Sequence, residues 1–506
     1  MSPNIWAMSN HAYPGYRAAL TDHVEQRLEV VPYAKDRSQG LLLDQHQQEA
    51  MLEAAVALQD AHRHRAFSIV HCCGAGKTVL EANMVGASQD AKHKLGINGD
   101  RRDIVLTTER SLITVIRKQF EALGLDDIGV WGNGEKVLDR PVILSTIQAM
   151  QQNRRELKHL IPLDRIDLVL GDEADNFLTA SRKKVIELLD GTTRIGFTAT
   201  PRWRDGRDIS DVWGPKIHEL PLKEGIKRGI NTPPVWLLYE AAIDADALKI
   251  YRDDYEPKTL GAAFKNAEIH KAIPEIYRTV IERDKRHLYP TMVFVPNTYL
   301  VDQVTVTMQK DFGGEGVTIR GWRGDEVTPS QLNRDIEDFR DGRLQILVLC
   351  EMGGRGLDLP AARFLIDAYP TLSPTKLEQR HGRVLRQVRP GSPLHRRGFR
   401  KEYSIVAQVH PKSNNFRPIC LPDILDGWKD AEEGAAIGGG KGNVGAPWLE
   451  EVKELQRRIE SKKPTINVSL VKQLDLYRKL ARFNDVPQAD DLGFFYAPTN
   501  YGRSEK

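Results

Sequence analysis

The sequence predicts an α/β protein built from two tandem parallel-sheet units, with a small helical appendage at its C-terminal end. Three observations carry that prediction. Short, continuously apolar, β-branched runs recur along most of the chain, as strands buried on both faces of a parallel sheet require. Amphipathic helical patterns separate them and supply the crossovers that parallel strands need. The alternation runs from about residue 41 to residue 222 and starts afresh near residue 234. At 506 residues the chain is also too long for one ordinary core.

In chain order, residues 1–40 show little periodicity and are read as an extension. The first unit, 41–225, carries strand patterns at Ala66–His71, Ile104–Thr107, Val142–Ser145, Asp167–Gly171 and Arg194–Thr198, with a crossover helix over Leu112–Leu123. The second unit, 226–411, repeats the grammar with strands at Val235–Tyr239, Thr291–Val295, Gly316–Arg320, Gln345–Cys350, Phe364–Ala368 and Tyr403–Gln408. Its helices are expected over Tyr299–Gln309, Pro329–Phe339 and Pro374–Arg386. Residues 412–506 contain the glycine-rich "EEGAAIGGGKGNVGAP", which reads as a flexible linker or surface loop. Two charged amphipathic patterns follow, Leu449–Ser461 and Val468–Phe483. They are expected to form the helical appendage and to offer a surface to a protein partner.

Composition sets bounds. Hydrophobic content of 41% and charged content of 28% describe a soluble globular chain. No apolar run approaches the roughly 18 residues that span a bilayer, and "MSPNIWAMSN" lacks the basic flank and apolar core of a signal peptide. A cytoplasmic location without a membrane partner is therefore expected. The four cysteines, Cys72, Cys73, Cys350 and Cys420, show no C-x-x-C spacing, which argues against a zinc site and a disulfide framework. Seventy-two basic residues against 69 acidic ones leave a net charge of only +3, so local clustering has to identify any nucleic-acid surface.

The chemistry concentrates in a few stretches. In "HCCGAGKTVL", Gly74, Ala75 and Gly76 let successive backbone N–H groups turn toward an anion at the start of a helix. Lys77 would reach phosphate oxygens and Thr78 would offer its hydroxyl to Mg²⁺. His71 stands where the strict pattern has its first glycine. Alone, the loop fits a nucleotide site, a metal or redox site, or a tight strand-to-helix turn. In "IDLVLGDEAD", an apolar run ends in Asp172 and Glu173, at the strand end where open α/β sheets bind ligands. An acid pair there either caps a helix or holds a metal ion and an attacking water. "GFTATP" adds Thr198 and Thr200 after another strand. "QRHGRVLR" carries Gln379, Arg383 and Arg386, the two arginines spaced to share one face of a helix. From Lys376 to Lys401 the chain is densely basic, and Arg396, Arg397, Arg400 and Lys401 are candidates to follow a phosphate backbone.

Taken in order, "LLLDQHQQEA", "CCGAGKT", "STIQAM", "DEAD", "TATP", "VFVP", "GGRGLDLP" and "QRHGRVLR" resemble the superfamily 2 helicases and translocases over about Leu41 to Arg389. The resemblance implies two RecA-like domains that use ATP and Mg²⁺. It assigns Gln47 to adenine, Lys77 and Thr78 to motif I, and Asp172 and Glu173 to motif II. Thr198 and Thr200 match motif III, Gly356 and Asp358 match motif V, and Gln379, Arg383 and Arg386 match motif VI. Arg110, Thr146, Gln148 and Cys350 fall at positions that touch nucleic acid or couple it to hydrolysis.

Despite the letters "DEAD", motif VI lacks the leading histidine of DEAD-box RNA helicases, having Gln379 there, and Leu385 replaces their late glycine. "CGAGKT" with "QRHGRVLR" is more similar to the DNA-directed branch, which contains excision-repair helicases, phage branch-migration helicases and restriction-enzyme motor subunits. Cys350, Glu109 and Asp44 depart from the frequent residues of their motifs. The expectation is movement along DNA in repair, recombination or restriction. The alternatives are an RNA helicase, or an ATP-gated clamp or recruitment factor that does not unwind.

Overall fold

The computed structural model describes residues 15–29, 43–60, 65–97, 101–132, 134–202, 206–251, 254–283, 289–323, 327–350, 359–388, 393–412, 418–425 and 468–474. The chain divides into two compact units, Met1–Pro221 and Leu222–Lys506.

In the first unit, eight strands form one sheet: β1 (Ala66–His71), β2 (Arg102–Thr107), β3 (Ile128–Gly132), β4 (Glu135–Lys136), β5 (Val142–Thr146), β6 (Ile166–Asp172), β7 (Thr193–Thr198) and β8 (Lys216–Leu220). Their order is β4-β3-β5-β2-β6-β7-β1-β8, and every pairing is parallel except that of β4 on β3. The helices are α1 (Tyr16–Glu29), α2 (Gln45–Gln59), α3 (Lys77–Lys94), α4 (Arg110–Glu121), α5 (Ile147–Gln152), α6 (Leu157–Leu160), α7 (Ala180–Ile186) and α8 (Ser210–Trp213). Alternate residues of one strand feed two cores. Val105 packs on the α1–α4 side with Leu20, Met51, Leu80 and Phe120. Ile104 packs on the α5–α8 side with Met150, Val185 and Trp213.

One packing detail shapes the site. Gly171 on β6 lies opposite Gly196 on β7. A Cβ on Gly171 would sit 2.3 Å from the Trp213 indole, and one on Gly196 would sit 2.6 Å from it. The bare backbone of both strands makes room for a fully buried ring immediately beneath the Asp172–Glu173 strand end.

The second unit contains β9 (Pro234–Asp244), the short antiparallel pair β10 (Ile250–Tyr251) and β11 (Asp254–Tyr255), β12 (Thr291–Phe294), β13 (Ile319–Trp322), β14 (Ile346–Leu349), β15 (Phe364–Asp367), β16 (Ser404–Lys412) and β17 (Val468–Leu474). Its seven-stranded sheet runs β13-β14-β12-β15-β16-β9-β17. Its helices are α9 (Leu222–Lys227), α10 (Pro257–Asn266), α11 (Ile269–Arg283), α12 (Thr298–Phe312), α13 (Pro329–Arg340), α14 (Pro374–Val384), α15 (Pro393–Arg396) and α16 (Leu421–Leu425).

Several elements differ from the sequence reading. Helix α1 lies in the stretch read as aperiodic. Its buried residues Tyr16, Leu20 and Val24 recur every fourth position among polar neighbours, and Tyr16 hydrogen-bonds Ser88 of α3 at 2.6 Å. Strand β13 begins at Ile319 rather than Gly316, because Gly316 turns the chain at φ 79° after α12. Within the expected helix Val468–Phe483, residues Val468–Leu474 instead form β17, antiparallel to β9. The parallel sheet otherwise ends on β9, whose unpaired backbone groups favour an added strand over a solvated helix. The pattern Leu449–Ser461 lies outside the described residues. Among the described residues, no helix is long and apolar enough to cross a membrane.

Candidate nucleotide site and its surroundings

The loop between β1 and α3 is a turn that glycine makes possible. Gly74 has φ 88° and Gly76 has φ 77°, conformations that side chains resist, and Gly76 is the residue from which α3 starts. The loop is braced from behind by α2. The Gln47 amide donates to Ala75 O at 3.0 Å and Gly76 O at 3.1 Å, while its oxygen accepts the Asp44 N–H at 2.8 Å. His46 Nε2 also bonds Ala75 O, at 2.8 Å. The side chain expected at adenine is thus 1% exposed and engaged with the loop itself.

Lys77 is half-buried and donates to the carbonyl of His71 at 3.1 Å. Burial pulls its ammonium down, but Glu173, the two loop cysteines and Asp172 outweigh this and hold it up to about 12. Asp172 ends β6 and is pushed up to about 7, first by burial and then by Glu173, with Lys77 opposing. Its carboxylate accepts the Glu173 N–H at 2.9 Å. Glu173 has left-handed backbone, φ 51°, a conformation costing about 1–2 kcal/mol for a side-chain-bearing residue. That turn bends the chain out of β6 at the acid pair, and the Glu173 Oε2 atom is buried without a hydrogen-bond partner.

Two residues join this site without having been singled out from sequence. Glu81 lies one helical turn beyond Lys77 and is fully buried. Burial first, then Asp172, drives its carboxyl well above the usual range. Acid at i+4 from the loop lysine was the available signal. Asp175, the last residue of "DEAD", accepts the Thr198 hydroxyl at 2.7 Å, and the Thr200 N–H donates to that same hydroxyl at 3.0 Å. Asp175 is pushed up to about 7 by burial and then by Glu173. Thr198 and Thr200 are both fully buried.

His71, the residue that breaks the strict loop pattern, is buried and hydrogen-bonds His218 of β8 at 2.8 Å. Its ring serves the sheet edge and its carbonyl serves Lys77. Cys72 and Cys73 are both buried.

The expected nucleic-acid contacts of the first unit are partly committed to the fold. Thr146 is the N-cap of α5 and accepts the Ala149 N–H at 3.2 Å. Gln148 donates to Thr108 O at 2.8 Å, tying α5 to the loop before α4. Arg110 opens α4 and is exposed.

In the second unit, α14 carries Gln379, half-buried, and Arg383, 7% exposed. The shared helical face expected for Arg383 and Arg386 is not formed, since α14 ends at Val384. The carbonyls that would continue the helix are taken by other partners. Lys401 donates to Val384 O and to Arg386 O, the latter at 2.9 Å. Ser404 donates to Val384 O at 2.7 Å, and the Thr232 N–H donates to Leu385 O at 2.8 Å. Arg386 follows in extended pairing with Asn231. Lys401 is therefore no phosphate-tracking residue. It is 3% exposed, and burial with Arg363 and Arg386 nearby lowers its ammonium well below the ordinary value. Arg397 is paired with Asp341, while Arg396 and Arg400 are exposed. Asp367 at the end of β15 bonds His381 at 2.9 Å and pairs with Arg380 at 3.3 Å, anchoring the start of the arginine motif. Cys350 is buried after β14, and Gly356 and Asp358 lie outside the described residues.

A glycine-turned loop at the head of a helix, faced by a strand-end acid pair in a parallel sheet, defines a phosphate-loop nucleotide-binding fold. With its second α/β unit, the chain has the tandem RecA-like architecture. Residues 41–203 match the family described as Type III restriction enzyme, res subunit, and residues 271–388 match the Helicase conserved C-terminal domain. The chain belongs to the superfamily 2 helicases and translocases, an ATPase family that uses ATP with a divalent metal.

It is 26% identical over 356 residues to the "DNA 3'-5' helicase XPB" of Kineococcus radiotolerans, an alignment covering 67% of this chain and 56% of that protein. It is 24% identical over 372 residues to a "51.5 kDa protein" of Lactococcus phage isolate 7-9, covering 73% and 71% respectively. Among solved structures it is similar in fold to the "ATP-dependent Type ISP restriction-modification enzyme LlaBIII bound to DNA". There the TM-score is 0.53 at 14% identity, covering 84% of this chain and 35% of that one.

Proposed function

We propose that this protein is a nucleic-acid-dependent ATPase that couples hydrolysis to movement along DNA. One observation carries the reading most: Lys77, Asp172 and Glu173 meet at one end of the first sheet, where the two carboxylates hold the Lys77 ammonium up and Glu173 adds to burial in holding up the Asp172 carboxyl. The residues fit Mg²⁺–ATP. An unpartnered buried carboxylate oxygen on Glu173, and an Asp172 carboxyl held up by burial and then by Glu173, are groups that a hard cation with its water shell would satisfy.

Gly74, Ala75 and Gly76 cradle the phosphates, Lys77 reaches the terminal ones, and Thr78 and Asp172 hold the metal. The bound metal supplies charge neutralisation on the phosphate oxygens. Glu173 orients the attacking water and accepts its proton. Gln47 supports the loop through Ala75 O and Gly76 O and is the residue that the family resemblance assigns to adenine. Gln379, Arg383 and Arg386 stabilise charge on the transferred phosphoryl group. Gly356 and Asp358 belong to the same second-unit machinery. Thr198 and Thr200 link hydrolysis to conformational change, and Arg110, Thr146 and Gln148 mark the nucleic-acid side of the first unit.

The preference for DNA rests on motif VI and on the similarity to a relative named as a DNA 3'-5' helicase. ATP hydrolysis measured with single-stranded DNA, duplex DNA, forked DNA and RNA tests it. Stimulation by a DNA form is expected, and stimulation by RNA alone would overturn the DNA reading. Lys77→Ala is expected to reduce turnover to background, and normal turnover in that variant would remove the assignment altogether.

A further inference from the structure

Immediately after α5, the chain makes a turn that, with the start of α7, borders an open pocket of about 550 Å³. That volume lies within the range of about 300–1,000 Å³ typical of ligand sites. Gln151, Gln152, Asn153, Arg154, Arg155 and Ser181 line it, together with Glu156. Several cations of this unit are neutralised by a neighbour. Arg27 pairs with Asp90, Lys94 with Asp22, Arg117 with Glu121, Arg140 with Asp127 and Arg194 with Asp190. Arg154 and Arg155 are exposed and have no ion-pair partner among the described residues. Lys183 and Lys184 of α7, which packs against α5, have none either. Two guanidinium groups against the single carboxylate of Glu156 leave the pocket positive, in a chain whose net charge is only +3.

Its position in the fold points to an occupant. Helix α5 is capped by Thr146, the last residue of β5, so the pocket lies one short helix beyond the end of β5. Ser181 enters it from the segment that follows Asp172 and Glu173. Both α5 and the segment carrying Ser181 thus follow strands that end where the nucleotide residues lie, and Gln148 ties α5 to Thr108 in the loop before α4.

We propose that this pocket binds the phosphodiester backbone of a nucleic-acid strand, with Arg154 and Arg155 as its phosphate contacts. Resting on the nucleic-acid reading above, this deepens it by extending the strand's track past Thr146 and Gln148 to the turn between α5 and α6. Guanidinium groups suit the task because they meet phosphate oxygens through paired N–H donors. The pocket's side-chain amides add donors that carry no sequence preference.

The test is anisotropy of a fluorescent single-stranded DNA oligonucleotide across a potassium chloride series, with wild type and an Arg154→Glu/Arg155→Glu variant. Thermal unfolding midpoints check that both are folded. The variant is expected to bind at least tenfold more weakly at low salt. Its slope of log affinity against log salt is expected to be shallower by about 1.4, since each single-strand phosphate contact contributes about 0.7. An Arg154→Lys/Arg155→Lys variant should recover most of the slope, and an oligonucleotide with uncharged methylphosphonate linkages should erase the difference between variants. Equal affinity and equal slope in wild type and the Glu variant would overturn the pocket assignment. A wild type that binds no nucleic acid at any salt would instead remove the function on which it rests.

Discussion

The Thr198 hydroxyl lies 2.7 Å from the Asp175 carboxylate and donates to it, while accepting the N–H of Thr200. This buried pair joins the end of β7 to the turn after β6, so the two strand ends that border the nucleotide site move as one piece. Thr198→Val keeps the shape but leaves Asp175 without that donor. A stability loss of about 1–3 kcal/mol is expected from the unsatisfied group. Stimulation of ATP hydrolysis by nucleic acid is expected to fall more than nucleotide affinity. Chemical denaturation and ATPase titrations with an oligonucleotide measure the two effects, and full stimulation in the variant would count against the coupling role.

Arg386 lies beyond α14, its backbone held by Lys401 and Asn231. Its guanidinium is thus carried on an extended segment rather than on a helix face. Arg386→Ala is expected to retain ATP binding and lose about 10³-fold or more in hydrolysis, the usual scale for an arginine acting on the transferred phosphoryl group. Equilibrium binding of a fluorescent ATP analogue, set beside single-turnover hydrolysis, separates the two.

Lys401 bridges the carbonyls of Val384 and Arg386 from inside the second unit, where burial lowers its ammonium well below the ordinary value. A neutral amine still has two N–H donors, one for each carbonyl. Between that lowered value and about 10.5, the unfolded chain holds a proton on this group that the folded chain lacks. The contribution of Lys401 to stability therefore rises with pH through that window. Lys401→Met removes the donor to Arg386 O and leaves Val384 O with Ser404 alone, and is expected to cost about 1–3 kcal/mol. Denaturant midpoints of wild type and Lys401→Met at several alkaline pH values should diverge as pH increases.

Gly196 lies opposite Gly171 beneath the Trp213 indole. Gly196→Ala would place a methyl group 2.6 Å from the ring, closer than atoms tolerate, and a loss of about 1–3 kcal/mol is expected from overpacking. Pairing it with Trp213→Leu, which removes the bulk, should restore part of that loss. Thermal unfolding of the single and double variants measures the recovery.

Much of this protein was legible in the sequence where apolar continuity is strong. Strand β1 was expected over the same residues that form it, and β2, β5, β6 and β7 differ only at their ends, because central parallel strands are buried on both sides. The edges were not legible. Strand β8 carries Lys216, His218 and Glu219 and pairs on one side only, so its composition resembles a loop. Strand β17 reads as a charged helical pattern, and only the open edge of β9 selects the extended form. Site residues on the glycine loop and after β6 were readable because phosphate chemistry needs particular residue types at fixed spacing. Glu81, His46 and Lys401 were not, since each acts on a backbone or carboxyl group that comes close only after folding.

"HCCGAGKT" and "GDEAD", read in order with the motifs that follow them, pointed from sequence alone to a phosphate loop and an acid pair, because those functions reside in local backbone freedom and side-chain type. Tertiary structure alone decided what surrounds them. It placed Gln47 behind the loop, set His71 against His218, and ended α14 before Arg386. The physical reason is the same each time: a buried polar group takes whichever partner the packed neighbours bring within hydrogen-bond reach, and those neighbours lie far away in sequence.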